Sequence, residues 1–389
     1  MPRRHLATTL LLTLALAAAG CGGDDDPPAP AQGTAAPAAT DEQLNLEGAC
    51  PETVVIQTDW DPESEYGVYY HLLGPNPEVD TERKRVSSPL VAQGRDTGVR
   101  LEIRTGGPSI GFEPVSAQMY KDKDITLGQI STDEAIRFSD GQPTQAVVAP
   151  MEVSPFMIMW DPETYPQFQR IADIGKTDTK VFYFEGDTYM EYLIAAGVLQ
   201  RSQVDGSYDG KPANFVAAGG KAAQAGFATS EPYIYEKEVR QWAKPVRYAL
   251  VNEAGYPFYP QALSMRAADA ERLAPCLEKL VPIVQRAQID YLANPAATNE
   301  LIVSLVEQYD TGWVYSAGLA DYAIGKMRET FVGNGPDQTL GNFDMARVGR
   351  MLEIVTPIFT AQRKPPKAGL QAEDIATNEF VDASIGVAP

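Results

Sequence analysis

The chain has 389 residues, of which 44% are hydrophobic and 22% are charged, a composition typical of an ordinary globular protein. This length predicts two domains, or three. The 52 Asp and Glu residues outnumber the 32 Lys and Arg residues and give a net charge of −20. An acidic surface of this size repels phosphate backbones, so we expect no nucleic-acid partner.

The N-terminus has the pattern of an export signal. A pair of arginines precedes an apolar stretch, residues 6–18, that is too short to span a bilayer. The residues AAGC at 18–21 resemble the bacterial lipobox, in which the cysteine becomes the lipidated first residue of the mature protein. We therefore expect a signal peptide over residues 1–20 and a membrane anchor, with palmitate, on Cys21. An ordinary signal peptide with an incidental cysteine is the alternative.

The segment that follows predicts a tether. Residues 21–49 are dominated by Gly, Asp, Pro, Ala and Thr and offer almost nothing apolar to bury, which is typical of disorder. A flexible chain of this length spans about 30 Å root-mean-square. No later stretch has 18 continuous apolar residues, so we expect no transmembrane helix. The folded body would be held at the outer face of the cytoplasmic membrane.

Two further cysteines, Cys50 and Cys276, form a candidate disulfide. Outside the cytoplasm a pair of cysteines is more often bridged than free. The bridge would pin the start of the fold to a helix near residues 274–280, and two buried thiols are the alternative. Neither cysteine has neighbours typical of metal ligands, so we expect no metal.

Hydrophobic periodicity predicts strands and helices that alternate through the first two thirds of the chain. The predicted strands cover 53–57, 99–104, 125–130, 144–149, 180–184, 215–218, 225–229 and 246–251, and helices cover 64–73, begin at 131, and run through 190–199. From 267 onward, helices are predicted over 267–293, 297–308, 312–331 and 343–361, with a kink or break at Pro282. This alternation indicates an α/β protein.

Two crossings of the chain, near residues 145–155 and 243–252, predict two lobes joined by a two-strand hinge. One lobe comprises residues 51–148 plus 249–389 and ends in a helical C-terminal region, and the other comprises residues 149–248. Such a hinge is one way to build a cleft that closes on a ligand.

The sequence does not support a catalytic site. After the signal peptide the chain has one histidine, His71, among Tyr and Leu residues, where packing is a more common role than catalysis. There is no His-Glu-x-x-His or Gly-x-Ser-x-Gly motif. The GKT at 175–177 lacks the first glycine of a phosphate loop, and the GGPSIG at 106–111 has proline where a dinucleotide motif needs glycine. We expect a protein that is not an enzyme and has no cofactor.

A binding site needs aromatic and polar side chains where strands give way to helices. The candidate ligand-binding residues lie at four such turns: Asp59, Trp60, Glu65 and Tyr66; Ser131 and Thr132; Asp187, Thr188 and Tyr189; and Glu231. Each also has a structural interpretation. Ser131 and Thr188 suit helix N-caps, and Trp60 and Tyr66 suit a core or lobe interface.

The ordered segments resemble the two-lobed solute-binding lipoproteins of ABC importers. The matching pieces are Trp60 followed by SEYG at 64–67, the stretch 125–149, the run FEGDTYMEYLIAAGVL at 184–199, and GFATSEPYIYEKE at 226–238. The resemblance is to the branch that includes binding proteins for thiamine pyrimidine precursors, sulfonates and nitrate. It implies a periplasmic-binding-protein type II fold with two mixed sheets flanked by helices, a monomer, a small-molecule ligand and an ABC permease as partner.

Departures from this family pattern bear on the ligand. Tyr66 stands where thiamine-precursor proteins tend to have His, and an ionised Asp187 would repel sulfonate or nitrate. Together with Asp59, Asp61, Glu65 and Glu231, it favours a neutral or cationic solute, aromatic or nitrogen-heterocyclic, such as a thiamine precursor. The alternatives are an anion binder of the sulfonate or nitrate type, a ligand sensor for a membrane kinase, and an exported enzyme similar to thiamine-pyrimidine synthases.

Overall fold

The structure is a computed structural model that describes residues 35–387. The predicted signal peptide and the predicted lipidation at Cys21 lie outside the described residues. The predicted tether, 21–49, is described only from residue 35. Its described part packs on the folded body: the backbone amide of Leu46 donates to the carbonyl of Thr97, and Leu46 is fully buried. The folded body therefore begins before residue 49.

A seven-stranded mixed sheet, the larger sheet, forms one half of the fold, in the order β2-β3-β4-β1-β5-β12-β6. Its strands are β1 (Thr53–Gln57), β2 (Glu78–Asp80), β3 (Arg85–Ala92), β4 (Arg95–Arg104), β5 (Leu127–Ile130), β6 (Thr144–Val148) and β12 (Ala262–Arg266). The β-branched run TVVIQ makes β1 a buried central strand, parallel to both β4 and β5. The pairings of β12 with β5 and β6 are antiparallel.

A five-stranded mixed sheet, the smaller sheet, has the order β11-β7-β10-β8-β9. Its strands are β7 (Phe156–Trp160), β8 (Lys180–Phe182), β9 (Val204–Asp205), β10 (Ala222–Phe227) and β11 (Arg247–Leu250). The pairs β10–β8 and β8–β9 are parallel, and β7 is antiparallel to both β10 and β11. The chain enters this sheet through residues 149–155 and returns to the larger sheet through residues 251–261.

Twelve α-helices surround the two sheets within residues 35–387. They are α1 (Gly67–Tyr70), α2 (Val115–Lys121), α3 (Thr132–Arg137), α4 (Ile171–Ile174), α5 (Thr188–Ala195), α6 (Ala213–Ala217), α7 (Glu231–Tyr233), α8 (Ala270–Ala293), α9 (Ala296–Tyr309), α10 (Ala317–Lys326), α11 (Met345–Ala361) and α12 (Ala372–Ile375). The expected helical C-terminal region is therefore present as α8 to α12.

The core of the larger sheet is built against α1, α8 and α9. Apolar side chains of β1 and β4 pack in one buried cluster with side chains of α8, among them Leu277 and Val281. A disulfide joins Cys50, three residues before β1, to Cys276 of α8. The N-terminal edge of the fold is thus fixed covalently to its longest helix.

The structure contains four short strands that were not predicted, β2, β7, β9 and β12. Three further departures from the predicted elements have a visible cause. The predicted strand at 215–218 is wrong: Pro212 precedes a helix, α6, which buries Phe215. Helix α8 continues through Pro282 without the predicted break, because the residues on both sides of the proline are buried against the core. The strand β3 was not predicted, since Pro89 interrupts its alternating pattern; the pairing register shifts there, between Pro89 and Val91.

Candidate functional site

A cavity of about 460 Å³ is lined by residues that follow strands of both sheets. The residues contributed by the loops after β1, β4 and β5, by the segment before β12 and by the loop between α9 and α10 form what we call the larger-sheet wall. The residues after β8, β9 and β10 form the smaller-sheet wall. The cavity therefore lies where the sequence places a ligand site, beyond the ends of strands.

The turn after β1 supplies the polar part of the larger-sheet wall. The Tyr66 hydroxyl donates to Asp59 Oδ1 at 2.9 Å and accepts from Gln261 Nε2 at 2.8 Å. Tyr66 is fully buried and Gln261 is 3% exposed, so this chain of hydrogen bonds fixes the carboxylate of Asp59 against the cavity. Glu63, in the same turn, also lines the cavity.

The start of α3 forms a second part of the larger-sheet wall. Ser131 caps this helix by accepting from the amide of Glu134, and its hydroxyl donates to Asp133 Oδ1 at 2.6 Å. The other oxygen of Asp133 accepts from the Tyr256 hydroxyl at 2.7 Å. Ser131 therefore both caps the helix and lines the cavity.

The smaller-sheet wall is formed by two turns. After β8, the turn at 184–189 brings Phe184, Asp187 and Tyr189 to the cavity. After β10, the Glu231 carboxylate accepts from the Tyr208 hydroxyl at 2.7 Å and from the backbone amide of Phe227 at 2.6 Å. These two bonds hold Glu231, which is 7% exposed, in one orientation.

Aromatic rings meet across the cavity. Trp60 of the larger-sheet wall lies 5.9 Å from Phe184 of the smaller-sheet wall, measured between ring centroids, with the rings nearly perpendicular. Phe112 and Trp313 lie 5.9 and 6.1 Å from Trp60. Arg137 Nη1 also donates to the carbonyl of Gly186 at 3.3 Å. The two walls are thus in direct contact, as in a closed cleft.

Burial raises the pKa values of the carboxyl groups in and behind these walls. The pKa of Asp59 is raised to about 6, and those of Glu65, Glu134 and Asp187 to about 7, in each case chiefly by burial. Burial also raises the pKa of Glu231, and that of Glu63 lies well above its ordinary value because burial is reinforced by other carboxylates. The site is therefore rich in carboxyl groups that lack the solvation their charge requires.

Eight of the ten candidate ligand-binding residues line the cavity: Asp59, Trp60, Tyr66, Ser131, Asp187, Thr188, Tyr189 and Glu231. The other two lie outside its lining. Thr132 is 1% exposed, and its hydroxyl accepts from the backbone amide of Tyr259 at 3.1 Å, which is a structural role. Glu65 is also 1% exposed and does not line the cavity.

Several lining residues were not among the sequence candidates: Glu63, Phe112, Asp133, Glu134, Arg137, Phe184, Tyr208, Phe227, Gln261 and Trp313. Glu63, Asp133 and Phe227 lie within four residues of candidates, so a wider window at each turn would have found them. Trp313 gave no such signal, because it lies in the loop between α9 and α10, far along the chain.

Within residues 35–387, no group of three or more His, Cys, Asp or Glu side chains is placed to hold a metal ion. In the same part of the chain, no helix has both the length and the apolar character needed to cross a membrane.

Two mixed sheets joined by two crossings, with a cleft between their strand ends, define the fold of two-lobed solute-binding proteins. The solved structures with this fold include the alkanesulfonate-binding protein SsuA from Xanthomonas axonopodis pv. citri bound to MOPS, with a TM-score of 0.54 and 14% identity, over 85% of this chain and 100% of that one. The periplasmic aliphatic sulphonate binding protein SsuA from Escherichia coli gives a TM-score of 0.53 and 15% identity, over 82% and 90%.

The periplasmic nitrate-binding protein NrtA from Synechocystis PCC 6803 gives a TM-score of 0.50 and 13% identity, over 85% of this chain and 87% of that one. No family model matches the chain, and no curated protein matches it. The chain thus has the periplasmic-binding-protein fold, as the sequence resemblance implies, and its structural neighbours include periplasmic binding proteins for sulfonate and nitrate.

Proposed function

We propose that this protein is an extracytoplasmic solute-binding protein of an ABC importer. It captures a small aromatic or nitrogen-heterocyclic solute, such as a thiamine precursor, and delivers it to a permease. The observation that carries the proposal is the cavity of about 460 Å³, whose two walls present aromatic rings and fixed hydrogen-bonding groups. A chain that binds and releases solute needs no catalytic group, so we propose no enzymatic activity.

The aromatic residues supply the stacking surface. Trp60, Phe112 and Trp313 stand on the larger-sheet wall and face Phe184 on the other. A planar ring packed against these side chains would bury apolar area, which favours aromatic over aliphatic solutes. Such a ligand would stabilise the closed form, in which the two lobes move about the crossings at residues 149–155 and 251–261.

The polar lining argues against the anions named for the structural neighbours. Among the described residues that line the cavity, Arg137 is the single basic side chain, against eight acidic ones: Asp59, Glu63, Glu113, Asp133, Glu134, Glu185, Asp187 and Glu231. Sulfonate or nitrate would meet repulsion from these carboxylates. The structural likeness therefore supports the class of function, and the lining supports a different solute.

Thermal unfolding of the purified protein against a panel of solutes tests the proposal. The panel contains pyrimidines, other nitrogen heterocycles, aromatic acids, polyamines, sulfonates and nitrate. A solute at about 100 times its dissociation constant adds about 2.7 kcal/mol to the free energy of unfolding and raises the melting temperature visibly. The shift should disappear in Trp60→Ala and persist in Tyr165→Ala, whose ring stacks on Phe168 outside the cavity. A response to sulfonate or nitrate alone would contradict the proposed solute.

We propose that export and lipidation at Cys21 place the protein at the outer face of the membrane as a monomer. Cys21→Ala should move the protein from the membrane fraction to the soluble extracytoplasmic fraction. Retention of the variant on the membrane would contradict the anchor and leave solute binding untouched.

A further inference from the structure

Carboxylates from the two walls face one cavity without a basic partner. Glu63 of the larger-sheet wall is 5% exposed, and Glu231 of the smaller-sheet wall is 7% exposed. Glu231 has two hydrogen-bond donors, the Tyr208 hydroxyl and the Phe227 amide, and both are neutral. Within residues 35–387, no Lys or Arg side-chain nitrogen forms an ion pair within 4.0 Å of a carboxylate oxygen of either glutamate.

The charges on the two walls repel one another. The carboxylates that raise the pKa of Glu63, in addition to its burial, are those of Glu65, Asp59, Glu231 and Asp61. Glu231 is the member of this set that comes from the opposite wall. Bringing the walls together in their ionised form therefore forces like charges into a region of low dielectric. This is costly unless the carboxyl groups keep their protons or a positive charge is placed between them.

Arg137 does not supply that positive charge. Its Nη1 atom donates to the carbonyl of Gly186, and its guanidinium packs over the ring of Phe138 at 5.3 Å. The pKa values of Glu63 and Glu231 are set chiefly by burial, by other carboxylates and by hydrogen-bond donors. A positive charge that pairs with the ionised Glu63 and Glu231 must therefore come from outside the chain.

A second observation, independent of the carboxylates, indicates a missing ligand with hydrogen-bond donors. Gln261 Oε1 and Ser230 Oγ belong to residues 3% and 2% exposed that line the cavity, and neither atom has a hydrogen-bond partner. Buried polar atoms in folded proteins are paired with few exceptions. Both oxygens can accept from an N–H group, as the carboxylates can.

The rings that line the cavity suit the same ligand. The indole rings of Trp60 and Trp313 are perpendicular, with centroids 6.1 Å apart, and the face of an indole ring attracts cations as well as aromatic rings. Carboxylates, acceptor oxygens and indole faces are together the groups that bind an organic ammonium ion.

We infer that the solute is an organic cation whose charged nitrogen lies between Glu63 and Glu231 and whose ring packs among the aromatic side chains. This inference rests on the proposed function and narrows its solute from neutral or cationic to cationic. The ligand nitrogen is then the counter-ion that lets the two walls approach. Closure occurs with the cation and is opposed without it.

The experiment compares probes that share one ring and differ in charge. Tryptamine is cationic, tryptophol is neutral and indole-3-acetate is anionic at pH 8, and their affinities for the purified protein are measured by calorimetry. If the thermal panel finds a different ring, the same charge series is built on that ring. We expect the cation to bind at least tenfold tighter than the neutral probe, and the anion to bind weakest. Equal or tighter binding of the neutral probe would overturn the inference and leave the proposed function standing.

A matched pair of variants tests the position of the charge. Glu63→Gln keeps the shape of the side chain, and should reduce the preference for the cation over the neutral probe at least tenfold. Glu307→Gln makes the same change of charge on the exposed face of α9 and should leave the preference unchanged. An unchanged preference in Glu63→Gln would overturn the inference. If no probe of the charge series binds and no solute of the thermal panel raises the melting temperature, both the inference and the proposed function are overturned.

Discussion

Gly67 shows how a single residue positions the site. It is the first residue of α1, directly after the turn that carries Asp59, Glu63 and Tyr66. A Cβ atom at this position would overlap the ring of Tyr291, which is fully buried and whose hydroxyl donates to Asn299 Oδ1 at 2.7 Å. The absence of a side chain at residue 67 lets α1 pack directly on α8 and brings the β1 turn to the cavity.

Gly67→Ala should therefore destabilise the protein by about 1–3 kcal/mol, because the added methyl group would overlap the buried ring of Tyr291. Urea unfolding measures the change. The matched control is Gly325→Ala on α10, where nothing lies within 4 Å of the new Cβ. That control should be neutral or stabilising by up to about 1 kcal/mol, as expected for Gly to Ala in a helix. Equal unfolding midpoints for the two variants would contradict the role of Gly67.

The turns of the site were predictable at the residue scale, and the partners of their side chains were not. Asp59 and Tyr66 follow a clear buried strand, so the sequence indicates their place at a strand end. The hydrogen bond from Gln261 to Tyr66 joins residues 195 positions apart, and no local pattern signals it. Trp313 was not predicted as a lining residue for the same reason, because the position of its loop depends on tertiary packing.

At the scale of elements, α11 holds the two crossings between the sheets. Arg347, on its first turn, has a side chain 9% exposed. Its Nη1 donates to the carbonyl oxygen of Glu152 at 2.7 Å and to Glu152 Oε1 at 3.0 Å, in the first crossing. Its Nη2 donates to the carbonyl of Phe258 at 2.9 Å, in the second crossing. One guanidinium thus ties both crossings to the same helix.

Arg347→Met should destabilise the protein by about 2–4 kcal/mol, because it leaves buried carbonyls and the Glu152 carboxylate without their donor. Chemical unfolding measures this loss. Arg350→Met is the control on the same helix, since the Arg350 side chain is 54% exposed and its contact with Asp344 is 3.6 Å. The control should change stability by less than about 1 kcal/mol. A large effect in both variants would show that α11 itself, and not the Arg347 bonds, is responsible.

Part of the secondary structure was predictable from the sequence, but β2, β3, β7, β9 and β12 were not predicted. Strands with an uninterrupted β-branched or apolar run, such as β1, appear where the sequence predicts them. The segment at 215–218 was misassigned because a short apolar run fits a strand or a helix equally well, and Pro212 was the distinguishing signal. Hydrophobic periodicity does not predict the order in which strands pair. For example, β12 joins the larger sheet between β5 and β6 only after the chain returns from the smaller sheet.

At the scale of the whole molecule, the cleft stores unfavourable charge in the ligand-free protein. The carboxyl groups with raised pKa values come from both sheets: Asp59 and Glu134 from the larger-sheet wall, and Asp187 from the smaller-sheet wall. In the unfolded chain the same groups titrate near 4. Folding therefore requires either that these groups keep their protons or that a charge is buried.

The sign of the resulting pH dependence is fixed. Between about pH 4.5 and pH 7, the folded protein binds more protons at these carboxyl groups than the unfolded chain does, so the free energy of unfolding falls as pH rises. The pKa of Asp173 is lowered to about 2 by its hydrogen bond from Lys176, and its contribution is lost only below pH 4. Burial lowers the pKa of His71, and this group alone would make the free energy of unfolding rise with pH near pH 6. It is one group, and the several carboxyl groups outweigh it.

The ligand-free protein should consequently be less stable at pH 8 than at pH 5, by at least about 2 kcal/mol, since each unit of pKa difference corresponds to about 1.4 kcal/mol. Urea unfolding at the two pH values measures this difference. Asp187→Asn, which keeps the shape of the side chain and removes its charge, should reduce the difference, whereas Glu307→Gln should leave it unchanged. Stability that rises from pH 5 to pH 8 would mean that the cleft carboxylates already have a counter-charge when the cleft is empty, and the requirement for a cationic solute would lose its electrostatic basis.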